Sequence, residues 1–294
     1  MRWGRAHVRI SGSTRVCGIV GDPVEHSMSP VMQNAAFSHA GLDFVYVPFR
    51  LPRGSARAAA DAMRAMGIRG LNVTVPHKVD IMPYLDRVDS PALRIGAVNT
   101  IVNDGGLLLG YNTDAAGFMR GLSGAGVEVG GVRVAVLGAG GASRAVTLAL
   151  VDAGARVTVL NRDAERGAML AGDVSRKAGR AVEHAGLSAG SLLTVLREAS
   201  LLVNTTTVGM HPDVGGSPVG AELLRPNLTV CDIVYNPPET SLLRLARERG
   251  CRTVDGIEML VGQGALAFEL WTGVPAPVEV MRSVVREELA RASH

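Results

Sequence analysis

Three cysteines in 294 residues are too few to frame a fold with disulfides. Cys17 and Cys231 lie in apolar, strand-like runs and read as small buried hydrophobes in a reducing compartment, which points to the cytoplasm. No apolar run reaches the length of a membrane span. Met1 to Arg15 is polar and basic without an apolar centre, so residues 1–14 are expected to be a loosely ordered extension and not a secretory leader. Aromatics make up only 4%, and the 30 Lys and Arg residues are scattered, mostly as single Arg, so no basic block interleaved with aromatics offers a nucleic-acid groove. His26, His77 and His211 stand apart, without the spacing of a metal site. There is neither an internal repeat nor a low-complexity tract.

What remains is a chain rich in aliphatic residues, with 36 glycines and a mild net charge of +3. That length supports two domains. Strand-like and helix-like segments alternate, which argues for parallel sheets. Arg15–Val20, Phe44–Phe49 and Leu71–Val75 read as strands. Ser29-Pro30 opens a helix with Ser29 as N-cap, Gly54–Met66 forms a second, and a short helix is expected from Pro76. Asp104-Gly105-Gly106 turns a hairpin. A second unit begins with the Val-rich strand Val132–Leu137 and continues with strands at Arg156–Leu160, Leu201–Asn204 and Thr229–Val234. After Asp255 the chain is helical, and a helix there is expected to return to the first unit. The expected domains are therefore 1–113 plus 255–294, and 114–254. The architecture expected is α/β, with a mainly parallel sheet in a substrate domain, a Rossmann-like domain, and a cleft between them.

Val132–Leu137 runs directly into Gly138-Ala139-Gly140-Gly141-Ala142-Ser143 and then a helix. The first glycine permits a tight turn and the second a close approach of backbone to a pyrophosphate. The helix N-terminus offers unpaired N–H groups to that anion. Ser143 in the third position still allows close helix–strand packing. The next strand ends Asn161-Arg162, where an NAD-binding domain would place an acid. Asn161 cannot repel a ribose 2′-phosphate, and Arg162 and Arg166 can clamp one. Asp163 and Glu165 would oppose this if turned inward. The pattern favours NADP over NAD.

Four polar patches follow strand ends: His26–Ser29, Asn72–Lys78, Asn99-Thr100 and Asn112–Asp114. Hydroxyls, amides, one amine and one carboxylate suit a small polyhydroxylated carboxylate. Together with Gly96–Thr100, Gly110–Asp114, Gly138–Ala142, Asn161-Arg162, Asp232–Pro237 and Asp255–Gln263, these stretches resemble the shikimate dehydrogenase family, in the family's order, over about residues 16 to 280. The resemblance implies reversible reduction of 3-dehydroshikimate to shikimate with NADPH, a step toward chorismate and the aromatic amino acids. It implies Lys78 and Asp114 as the catalytic pair. Ser27 and Ser29 would bind the substrate carboxylate, and Thr74, Asn99 and Gln263 the ring hydroxyls. Tyr235 would approach the carboxylate or nicotinamide side, and Gly256 and Met259 would border the nicotinamide.

The chemistry of these residues agrees. Hydride reaching a ketone carbon leaves charge on oxygen, and an ammonium in a partly dry cleft supplies both a proton and a positive field. A neighbouring carboxylate orients that ammonium. Other readings stay open from sequence. One is a quinate or aminoshikimate dehydrogenase using NAD, against which the two serines weigh. Another is a catalytically silent nucleotide sensor, against which the Lys78–Asp114 pair weighs. A folate-linked dehydrogenase would want a more apolar pocket. The expected partner is a small molecule, not nucleic acid or membrane, with a homodimer left open.

Overall fold

The computed structural model describes residues 10–292. Residues 1–9 of the expected extension lie outside the described residues. The segment that follows is tied down: the Ser13 and Thr14 hydroxyls donate to Asp43 at 2.7 and 2.6 Å. The chain forms two compact units, Met1–Thr113 with Gln263–Glu287, and Asp114–Gly262 with Glu288–His294.

The first unit opens with β1 (Arg15–Gly21), α1 (Ser29–His39), β2 (Phe44–Arg50), α2 (Ala56–Met66) and β3 (Gly70–Val73). It continues with β4 (Arg87–Val88), α3 (Ser90–Ile95), β5 (Thr100–Asp104) and β6 (Leu107–Tyr111). Its sheet runs β2-β1-β3-β5-β6-β4. β1 is parallel to β2 and β3, whereas β5 runs antiparallel to both β3 and β6. The β5–β6 hairpin turns on Gly105 and Gly106, with φ of 59° and 99°, a conformation that side chains with a Cβ avoid. Asn72 of β3 sits opposite Thr100 of β5, which sits opposite Tyr111 of β6. This register brings the ends of β3 and β6 and the start of β5 to one edge of the sheet.

Two sequence expectations are corrected here. α1 begins at Ser29, with Met28 in the cap position and no side-chain cap, so Ser29 is inside the first turn and not the N-cap. No helix starts at Pro76: β3 ends at Val73, turns follow, and only a 3₁₀ turn at Met82–Tyr84 comes later. The segment is instead held by tertiary backbone bonds, Thr74 N–H to Val20 O at 2.9 Å and Val98 N–H to Lys78 O at 2.8 Å.

The second unit contains α4 (Thr113–Gly124), β7 (Arg133–Leu137), α5 (Gly141–Asp152), β8 (Arg156–Asn161) and α6 (Ala164–Ala178). After these come β9 (Glu183–Gly186), α7 (Ala189–Glu198), β10 (Leu201–Asn204), β11 (Thr229–Asp232), α8 (Ser241–Glu248) and β12 (Arg252–Val254). The closing helices, α9 (Gly256–Thr272) and α10 (Val278–Ala292), include Gln263–Glu287, which belongs to the first unit. The second sheet runs β12-β11-β10-β7-β8-β9, with every pairing parallel. Val134 to Leu137 are buried, as a central parallel strand covered on both faces requires. Strand order reverses between β7 and β10, and in doubly wound sheets ligands bind beyond the strand ends at such a point. No helix among the described residues is long and apolar enough to cross a membrane.

Candidate active site

In the first unit, the polar residues gather because the backbone register gathers them. Ser27 lies in the loop after β1. Its Oγ accepts from the Ser29 N–H at 3.2 Å, which leaves the Ser27 proton for another acceptor. Ser29 is buried at the start of α1. Thr74 follows β3 and packs its methyl onto Gly21, where a Cβ would lie 2.3 Å from Thr74 Cγ2. Lys78 is half-buried, and its carbonyl is fixed by Val98, next to Asn99. His77 is fully buried. Its Nε2 must donate to Leu51 O at 2.7 Å, since a carbonyl only accepts. Gln263 is buried on α9. Its neighbour Gly264 presents its carbonyl to Gln33 Nε2 of α1 at 2.9 Å.

Asn99 is buried just before β5. Its Nδ2 donates to Thr113 Oγ1 at 3.0 Å, and its Oδ1 accepts from Thr113 N–H at 2.7 Å. Asn72 joins this set: its Nδ2 donates to Thr100 Oγ1 at 3.1 Å, and its Oδ1 accepts from the Tyr46 hydroxyl at 2.7 Å. Tyr46 was not legible as part of the site, because a Tyr in an alternating strand reads as core. The sequence clue was Asn72 itself, an amide in an otherwise apolar strand.

The second unit holds the rest. Gly138 has φ of 108°, and a Cβ there would meet Thr205 Oγ1 at 2.9 Å. The Thr205 hydroxyl donates to Leu137 O, and Thr206 Oγ1 to Asn204 Oδ1 at 2.7 Å. The Thr-rich run after β10 is thus the wall against which the glycine turn packs. Ser143 does more than permit packing: its buried hydroxyl donates to Gly138 O at 2.7 Å and closes the turn. Nothing lies within 4 Å of a Cβ built on Gly140 or Gly141. Gly140 caps α5 without a side-chain bond. Open space over unpaired helix N–H groups, with Ala139 and Ala142 too small to fill it, fits the pyrophosphate of a dinucleotide.

At the end of β8, Asn161 Nδ2 donates to Asp163 O at 2.8 Å. The Asp163 carboxylate accepts from Arg166 N–H at 3.1 Å as the N-cap of α6. That acid is therefore committed to its own helix. Arg162 and Arg166 are exposed, and among the described residues neither joins an ion pair. Arg144 by contrast is neutralised by Asp173.

Asp114 is buried in the first turn of α4. Tyr235 follows β11 and is half-buried, and burial pushes its phenol above the ordinary value. At Gly256 a Cβ would lie 2.5 Å from both Ile233 O and Val234 O, so only glycine lets α9 start against the end of β11. Met259 is half-buried one turn on. Among the described residues, no group of three or more His, Cys, Asp or Glu residues could hold a metal ion.

The family model for the shikimate dehydrogenase substrate-binding domain matches residues 19–101. The model for shikimate/quinate 5-dehydrogenase matches 124–210, and that for the shikimate 5′-dehydrogenase C-terminal domain matches 256–286. A shikimate dehydrogenase (NADP+) of Moorella thermoacetica is 47% identical over 97% of each chain. The chain belongs to the shikimate dehydrogenase family. Solved members of this family match the whole fold. One is a crystal structure of a shikimate dehydrogenase in complex with NADP+, with a TM-score of 0.93 at 39% identity over 97% of this chain and 99% of that one. A shikimate 5-dehydrogenase from Thermus thermophilus in complex with NADP(H) and shikimate gives 0.84 at 38% identity over 93% and 99%. Family membership agrees with the all-parallel second sheet and its glycine turn, and with the mixed first sheet bearing the polar edge.

Proposed function

We propose that this chain is an NADP-dependent shikimate dehydrogenase that reversibly reduces 3-dehydroshikimate to shikimate in chorismate and aromatic amino-acid biosynthesis. The observation that carries this reading is the polar edge of the first sheet, where Ser27, Ser29, Thr74, Lys78 and Asn99 are each fixed by backbone bonds or packing. The relative from Moorella thermoacetica bears this activity in its name, and the Thermus thermophilus relative holds both ligands.

Ser27 and Ser29 donate to the substrate carboxylate. The Ser29 N–H already occupies a lone pair of Ser27 Oγ and turns its proton outward. Thr74, Asn99 and Gln263 bond the ring hydroxyls. Asn99 is suited to this because both of its amide ends are already oriented by Thr113. Bound NADP(H) supplies or accepts the hydride. Lys78 meets the oxygen of the reacting carbon, stabilises developing negative charge and gives or takes the proton there. Asp114 orients the ammonium. Tyr235 closes the carboxylate or nicotinamide side, and Gly256 and Met259 border the nicotinamide.

The glycine turn with Ala139 and Ala142 holds the pyrophosphate, while Asn161, Arg162 and Arg166 hold the adenosine 2′-phosphate. The substrate domain is 1–113 plus 255–294, and the dinucleotide domain is 114–254. The three cysteines are free thiols, in keeping with a cytoplasmic protein. The test is a spectrophotometric assay of shikimate and quinate oxidation with NADP and with NAD. Turnover of shikimate with NADP is expected to exceed the other three combinations. Turnover led by quinate with NAD, or none at all beside tight NADP binding, would refute the assignment.

A further inference from the structure

Two polar side chains are shut away at the end of the second sheet. Asn204 closes β10 and Asp232 closes β11; they lie side by side in register, and both are fully buried. Asn204 Nδ2 donates to Asp232 Oδ1 at 2.9 Å and lies 3.5 Å from Val208 O. Asn204 Oδ1 accepts from the Thr206 N–H at 3.0 Å and from the Thr206 hydroxyl at 2.7 Å. Thr206 Oγ1 in turn accepts from the Val208 N–H at 3.2 Å. Asp232 also accepts from the Val234 N–H at 3.1 Å and the Thr240 hydroxyl at 2.7 Å.

The direction of these bonds is forced. A backbone N–H can only donate, so Thr206 takes the oxygen of the Asn204 amide and leaves the NH₂ for Asp232. Thr205 is held independently, since both its N–H and its hydroxyl donate to Leu137 O. Thr206 is held differently: among the described residues, Asn204 Oδ1 accepts both of its protons. Its methyl is the part that meets the glycine turn, because a Cβ built on Gly138 would lie 3.1 Å from Thr206 Cγ2. On the other side of the pair, a Cβ on Gly256 would lie 2.5 Å from Val234 O, and the Val234 N–H is the one that Asp232 holds.

We propose that Asn204 is a positioning residue for the cofactor, with Asp232 as its anchor. Asn204 holds Thr206 as the back wall of the glycine turn. Asp232 holds Asn204 together with the Val234 N–H beside Gly256. This inference deepens the reading above and rests on it: the glycine turn takes the pyrophosphate, and Gly256 borders the nicotinamide. A Thr206 without its acceptor gives way behind Gly138, and the helix N–H groups that follow the turn lose their aim at the pyrophosphate. NADP and NAD share that pyrophosphate, so the loss falls on both.

Asn204→Leu keeps the volume and removes both bonds. In titrations of the full chain, Kd for NADP and for NAD should rise alike, by about tenfold, the worth of one well-placed hydrogen bond. KM for shikimate should stay within about twofold. Asp232→Leu should show the same pattern. Asp232→Asn keeps an oxygen for Asn204 and Val234 and can turn its NH₂ to the Thr240 hydroxyl, so it should bind NADP within about twofold of the parent. Asn204→Leu with Asp232→Leu should raise Kd by less than the product of the single effects, because both break one chain. Val230→Ala, in the buried core of the same sheet, controls for lost stability: it should lower Tm and leave Kd unchanged. An unchanged Kd for Asn204→Leu, or a loss confined to NADP, would overturn the role of Asn204. So would Asp232→Asn binding as poorly as Asp232→Leu, a multiplicative double variant, or an equal rise for Val230→Ala. A parent chain that binds neither cofactor would count instead against the reading above. If Asn204→Leu does not fold, Thr206→Val cuts the hydroxyl bond from its half-buried end; Kd should rise about threefold, and an unchanged Kd refutes the proposal.

Discussion

The Thr113 N–H donates to Asn99 Oδ1 at 2.7 Å, and Asn99 Nδ2 returns a bond of 3.0 Å to the Thr113 hydroxyl. Thr113 immediately precedes Asp114, and Asn99 immediately follows Val98, which holds the carbonyl of Lys78. One amide thus fixes the backbone leading into the proposed acid and sits one residue from the anchor of the proposed lysine. Both anchors grip main-chain atoms, the Thr113 N–H and the Lys78 carbonyl, so substitutions of the Lys78 or Asp114 side chain leave them in place and report on chemistry.

Replacing Lys78 with Ala should lower kcat by at least about a hundredfold with a smaller change in KM, as expected for a group that acts mainly in the transition state. Steady-state kinetics in both reaction directions measures this. A kcat near that of the parent would remove Lys78 from the chemistry.

Arg162→Ala should weaken NADP about tenfold or more, while NAD, lacking the 2′-phosphate, changes little. Because Arg162 is exposed, the gap should narrow as ionic strength rises. Equal losses for the two cofactors in titrations at low salt would mean that Arg162 does not meet the phosphate.

Gly70→Ala should destabilise the protein by about 1–3 kcal/mol, the usual range for overpacking. A Cβ there would lie 2.1 Å from Trp271 Nε1, which donates to Ile101 O at 3.0 Å and cannot yield without losing that bond. Thermal unfolding of the variant reads the effect, and an unchanged Tm would show that the indole can shift.

Asp232 gives a pH signature. It accepts from Asn204 Nδ2 at 2.9 Å, Val234 N–H at 3.1 Å and the Thr240 hydroxyl at 2.7 Å. Burial nevertheless outweighs these bonds and pushes the carboxyl from 3.8 up to about 6. Between those two values the folded chain keeps a proton that the unfolded chain releases. Its stabilising contribution is therefore complete below the lower value and is lost as pH rises through about 6, by up to roughly 3 kcal/mol. Denaturant unfolding at pH 4 and pH 7 should show a larger drop for the parent than for Asp232→Asn, which cannot ionise. Parallel pH profiles would contradict the shift.

The order of strands and helices, the glycine turn and the nature of the second sheet were legible because each rests on local rules. An apolar Val-rich run and glycines at a forced turn depend on neighbours in sequence. The role of Asp163 was ambiguous until the structure turned its carboxylate onto the Arg166 N–H. The Thr205–Thr207 stretch had no derivable effect until Thr205 was seen against Gly138.

The sequence by itself determined which chemical groups this protein possesses, the parallel αβ alternation that carries them, and the motifs that place it in its family. Only the tertiary structure decided how those groups are oriented. Ser29 lies inside α1 and not at its cap, the chain on either side of Pro76 is held by Val20 at Thr74 and by Val98 at Lys78 and not by a helix, and Tyr46 belongs to a polar network. The physical reason is that an amide or hydroxyl takes its direction from partners distant in sequence. Tyr46, Asn72 and Asn99 meet only because β2, β1, β3 and β5 lie side by side.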